Sequence, residues 1–111
     1  MPVKNCTSAI VPATKLNDYL LNPAHPVGGP KARWFLARGF HASKPELLRD
    51  ALLAIVRSSE DFTEEMTLYG AKHLVRGELE CPDDSRRSIL TIWITETGAA
   101  APRLVTAYPT R

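Results

Sequence analysis

The chain has 111 residues, 44% of them apolar and 23% charged, with a formal net charge of +2. That length and composition suit a single domain spanning 1–111 with one core, and leave too little material for a second domain or a large internal cavity. The longest apolar runs fall well short of the roughly 18 residues a membrane helix requires, and so small a charge excess does not by itself mark a nucleic-acid binder.

Met1 to Ile10 show neither the continuous apolar stretch nor the cleavage pattern of a secretory leader, so the expected location is the cytoplasm, and residues 1–12 are expected to be loosely ordered. Cys6 and Cys81 form no CxxC pair or metal cluster, so both read as free thiols. Thr14 to Leu21 predicts a short helix burying Leu16, Tyr19 and Leu20, stopped by Asn22-Pro23. Pro30 then opens a second helix, Lys31 to Arg38, which Gly39 ends. Ser43 and Glu46 form an S-x-x-E capping box around Pro45 and start a third helix running to about Arg57. Its apolar stripe is Leu47, Leu48, Ala51, Leu52, Ile55 and Val56.

Near residue 62 the spacing changes from helical to alternating. Ala71 to Glu80, Ser88 to Glu96 and Pro102 to Tyr108 predict three strands of an antiparallel meander, with the β-branched middle strand central. Helices first and a sheet second make an α+β fold, about three N-terminal helices on a small C-terminal sheet. The more apolar face, Leu90/Ile92/Ile94, is the natural one for the helices to cover, with Thr91, Trp93 and Thr95 opposite. Register between strands is open, since a slip of one residue exchanges the faces.

Two stretches offer chemistry. His25, Gly28, Gly29, Lys31 and Arg33 bring an imidazole and cations to glycines before a helix start, where free N–H groups and the positive dipole end suit a phosphate. The same stretch also reads as a Pro/Gly connector whose His25 bonds the backbone. On the strands, His73, Arg76, Arg103, Thr106 and Tyr108 supply cations and hydroxyls. Metal-independent RNA cleavage needs a base for the 2′-hydroxyl, an acid for the 5′-oxygen, and fixed donors around the phosphorane, and these side chains meet that demand. A solvated polar sheet face would carry them too. Glu64-Glu65 and Asp83-Asp84 fall in expected loops, and no metal-ligand, GxSxG or GxGxxG pattern occurs, so no metal or other cofactor is expected.

The runs KLNDYLLNPAHPVGGPKARWF (15–35), YGAKHLVRGEL (69–79), TIWITETG (91–98) and PRLVTAYP (102–109) resemble a family of small bacterial domains of unknown function. Its members occur in settings that resemble toxin–antitoxin and polymorphic-toxin systems. The layout is also similar, more distantly, to the barnase, colicin and RelE-like metal-independent ribonuclease toxins. That resemblance implies His25 as general acid/base, Lys31 and Arg103 as phosphorane-stabilising cations, and Thr106 orienting the phosphate. Arg33, His73, Arg76 and Tyr108 would contact substrate, although His73 stands where relatives are expected to carry Tyr or Phe. The implied partners are RNA and a cognate antitoxin or immunity protein. The alternative is a non-catalytic binding module, such as the immunity or antitoxin side, docking an acidic partner through the same basic face. Both readings require His25 and Arg103 to share one cleft between the first two helices and the sheet.

Overall fold

The computed structural model of the chain describes residues 1–110. A 3-10 turn (Cys6–Ser8) and three helices precede a four-stranded antiparallel sheet of order β1-β2-β3-β4, so the α+β architecture and the meander agree with the sequence reading. The helices are α1 (Ala13–Lys15), which runs on into a π-helical turn over Leu16–Leu20, then α2 (Gly29–Ala37) and α3 (Pro45–Ser58). The strands are β1 (Phe62–Thr67), β2 (Gly70–Glu80), β3 (Arg86–Glu96) and β4 (Arg103–Pro109).

Several local expectations change. The first helix is a wide turn, in which Leu21 N–H bonds the Leu16 carbonyl at 2.8 Å. It buries Leu16 and Leu20 but leaves Tyr19 half-buried. The capping box at Ser43 does not form: Lys44 is the N-cap, no side chain caps the helix, and Pro45 fills its first turn. Leu48, Leu52, Ile55 and Val56 line the buried face of α3, whereas Leu47 is 42% exposed at the edge of the stripe.

The sheet gains a strand. β1 contains Glu64 and Glu65, expected in a loop, and pairs with β2 from Phe62↔Val75 to Thr67↔Gly70. Phe62-Thr-Glu-Glu-Met-Thr lies at the sheet edge and is mostly exposed, so it has no need of the apolar alternation that marks a half-buried strand. The N-terminal segment, expected to be loose, buries Val3, Ala9 and Val11, and Ile10 bridges to Arg103 on β4.

The buried sheet face is the one opposite to that expected. Ile89, Thr91 and Trp93 of β3 face the helices, beside Val75 and Leu79 of β2 and Leu104 and Ala107 of β4. Leu90 and Ile94 are only half-buried on the outer side, and Ile92 between them is buried but lies outside the core cluster. Counting apolar residues on β3 alone misses two things. Trp93 carries the largest apolar surface on the strand, and Thr91 neutralises its own polarity by donating to the Val75 carbonyl and accepting Trp93 Nε1–H. Neighbouring strands then decide: opposite Leu90, Ile92 and Ile94 stand Arg76, Leu74 and Lys72 on one side, and Tyr108, Thr106 and Arg103 on the other, so that Leu74 is the one aliphatic partner among the six.

Candidate functional site

Asn22-Pro23 ends the π turn and Pro30 opens α2, so the intervening residues fold back on the chain. His25 organises that connection. Its Nδ1 accepts the N–H groups of Val27 at 3.0 Å and Gly28 at 2.9 Å, and its carbonyl accepts Gly29 N–H at 2.9 Å. Around the start of α2, the N–H groups of Val27, Gly28 and Gly29 that could greet a phosphate are therefore taken by His25 itself. With Nδ1 an acceptor, the neutral ring carries its proton on Nε2 and presents a donor there. The glycines serve close packing: a Cβ on Gly28 would lie 2.5 Å from the Tyr19 ring, and one on Gly29 would lie 2.7 Å from the Pro23 carbonyl oxygen.

That packing stands the Tyr19 ring edge-on to the His25 ring, centroids 5.0 Å apart, and places its hydroxyl at the sheet edge. There it meets α2 and β4. Lys31 Nζ donates to Tyr19 Oη at 2.7 Å and to Thr106 Oγ1 at 3.2 Å, and the two hydroxyls are 3.1 Å apart. Lys31 Nζ also lies 5.2 Å from the centre of the Tyr108 ring, and Lys15 Nζ lies 5.4 Å from that of Tyr19. Burial alone pushes the Tyr19 phenol up, but hydrogen bonds from Lys31 and Thr106 and the charges of Lys31 and Lys15 outweigh it, leaving the phenol below its ordinary 10.0. A shallow hollow opens over this group, lined by Lys15, Asp18, Tyr19, His25, Val105 and Thr106.

The structure thus brings together His25, Lys31, Thr106 and Tyr108, and separates the rest. Lys31, Tyr108 and Arg103 do not themselves line the hollow, but Lys31 bonds Tyr19 and Thr106, which do, and lies over the Tyr108 ring, whereas the Arg103 Nε is held 2.5 Å from Glu96 Oε1. Among the described residues, the hollow that His25 lines does not include Arg103, although both were expected to share one cleft. His73 is 3% exposed on the helix-facing side of the sheet. Its Nε2 bonds Thr95 Oγ1 at 2.8 Å, and its Nδ1 lies 2.5 Å from Glu64 Oε2, close but off the direction a hydrogen bond needs. Arg76 reaches Thr63 Oγ1 and Asp61 instead, and Arg33 is exposed on α2. Tyr19 is the residue that sequence reasoning missed, having been assigned to the core. The one signal was its place beside Leu20 and three residues from Leu16, on the flank of the buried pair.

Among the described residues no group of three His, Cys, Asp or Glu is arranged to hold a metal, and no helix is long and apolar enough to cross a membrane. The profile of a family described as Domain of unknown function (DUF6883) matches residues 2–111. A solved chain from a contact-dependent growth inhibition toxin–immunity protein complex of Klebsiella pneumoniae 342 shares the fold, with a TM-score of 0.72 and 15% identity over 91% of this chain and 99% of that one. No curated protein matches.

Proposed function

The chain belongs to the DUF6883 family, and we propose that it is a component of a bacterial toxin system that cleaves RNA in the cytoplasm without a metal, at the cluster of Tyr19, Lys31 and Thr106. Its likeness to a chain of a toxin–immunity complex supports the setting. The observation that carries the chemistry is the Lys31 ammonium held between the Tyr19 phenol and the Thr106 hydroxyl.

Lys31 has three N–H donors, two of them engaged by Tyr19 and Thr106, and a phosphate in the hollow exchanges with those partners for its charge. Tyr19, with its lowered pKa, takes the proton of the 2′-hydroxyl as phenolate. The 2′-oxygen attacks phosphorus and the bond to the 5′-oxygen breaks, the leaving oxygen taking a proton from the Lys31 ammonium. The phenol then returns its proton to Lys31 across their hydrogen bond, which restores the starting pair. His25 donates through Nε2–H to the phosphate, Thr106 orients it, and Tyr108 and Arg33 flank the strand. Arg103 has no part in this scheme, because Glu96 holds its guanidinium.

The test is cleavage of total bacterial RNA in EDTA. Wild type degrades it, while Lys31→Met and Tyr19→Phe slow the reaction by about 10²–10³-fold, the usual cost of losing a transition-state donor. RNA left intact by wild type, or cut equally well by both variants, overturns the proposal. A second reading, a non-catalytic module on the immunity or antitoxin side, is favoured by the internal satisfaction of Arg103 by Glu96 and of the Val27, Gly28 and Gly29 N–H groups by His25. It takes over if wild type leaves RNA intact yet captures a cognate toxin.

A further inference from the structure

β2 is longer than its neighbour β1, and the excess leaves an open edge. Pairing with β1 begins at Val75↔Phe62, and the next residue, Arg76, is completed by the Asp61 carbonyl, which accepts its N–H at 2.9 Å, and by Ser59 Oγ, which donates to its carbonyl. Backbone groups alternate sides along a strand, so Glu78 and Glu80 present their N–H and C=O on the same side as Arg76. No described residue pairs with them there.

This edge forms one wall of a groove of about 430 Å³ whose other wall is α3. The floor is small and apolar, with Ala51, Ala54 and Gly77, and the carboxylates are Asp50, Glu78 and Glu80. No lysine or arginine lines it, but Asp50 is ion-paired to Arg49 at 3.0 Å and Glu80 to Arg86 at 3.2 Å, both on the exposed surface, and Arg76 and Arg86 line the adjoining hollow along the same edge. Glu78 has no ion pair among the described residues.

We propose that this groove takes a basic, extended segment of a partner protein as an added strand along Glu78–Glu80. The open main-chain groups bind any extended backbone; side chains of the segment that turn toward α3 meet the small floor and Asp50, and those that turn to the outer face meet Glu78 and Glu80, so both sets favour lysine or arginine. A second copy of this chain would bring the same carboxylates to the same edge and be repelled. RNA phosphates are repelled likewise. The inference stands apart from the nucleolytic reading, because the groove shares no residue with the Lys31 cluster.

The test titrates isotopically labelled protein with acetyl-Lys-Val-Lys-Val-Lys-Val-amide and follows backbone amide resonances. Shifts concentrated at Glu78, Glu80, Ala51 and Ala54 are expected. The Glu/Val counterpart peptide, and a Lys/Val peptide N-methylated at alternate residues, should each bind the wild-type protein at least about tenfold more weakly. Glu78→Lys with Glu80→Lys should weaken the Lys/Val peptide by a similar factor while the circular dichroism stays native. Absence of these shifts overturns the proposal, as does equal binding of the acidic or N-methylated peptide. Shifts at the same amides caused by protein concentration alone, or by an RNA oligonucleotide, assign the edge to a different occupant and overturn it too.

Discussion

Replacing Thr91 by Val tests which face of the sheet the helices cover. The Thr91 side chain is fully buried, its hydroxyl donating to the Val75 carbonyl at 2.9 Å and accepting Trp93 Nε1–H at 2.8 Å. Valine keeps the shape and removes both bonds. Orphaning the buried indole N–H costs about 1–3 kcal/mol and losing the bond to Val75 about 0.5–1.5 kcal/mol, while the added methyl returns up to about 0.8 kcal/mol. A net loss of about 1–3 kcal/mol follows, or a fall in Tm of roughly 4–12 °C for a domain of this size. Urea denaturation followed by far-UV circular dichroism measures it. In a Trp93→Phe background no N–H remains to orphan, so the same substitution should cost less by about 1–3 kcal/mol. A Thr91→Val protein within about 0.5 kcal/mol of wild type, with no coupling to Trp93, would refute the bridging hydroxyl and the burial of this face.

Three further outcomes are expected. In an ultraviolet titration one of the three tyrosines ionises ahead of the others, Tyr19→Phe abolishes that early step, and Lys31→Met moves it upward, because Lys31 supplies both a hydrogen bond and a charge that lower the phenol. Since Tyr19 is lowered in the folded state, its ionisation adds stability that is complete above the ordinary 10.0 and is lost as pH falls through the folded value. Cys81 has the opposite sign: burial, aided by the Asp83 charge, raises its thiol above 9.0 against the pull of Ser85, Arg87 and Arg38. Its contribution is therefore present below that pH and lost as pH rises through the folded value, and iodoacetamide should modify it faster in urea-unfolded than in native protein at pH 8. Gly77→Ala places a Cβ 2.9 Å from Ile55 Cγ2 beneath α3, so it should destabilise by about 1–3 kcal/mol, a loss that Ile55→Val partly relieves in urea denaturation.

Much of the architecture was legible because it depends on neighbours in the chain. The three- and four-residue spacing of α3 and the alternation of β2 and β3 are local periodicities, and the turns at Cys81-Pro82-Asp83-Asp84 and Thr97-Gly98 separate the strands where expected. β1 was illegible because an exposed edge strand needs no apolar face, and the N-terminal segment because its burial depends on a distant strand. The capping box failed for a local reason, since the helix starts one residue beyond the point where Ser43 could cap it.

The order of helices and strands, and the supply of reactive side chains near residues 25–33 and 103–108, follow from local propensity and periodicity, which act over a few residues. Tertiary structure alone decided which cations meet. Lys31 and Thr106 converge on Tyr19, which lies 87 positions from Thr106, whereas Arg103 is held by Glu96 and His73 is buried on the other side of the sheet. It also chose the buried sheet face, because a face is stabilised by the summed contacts of several strands with the helices above them.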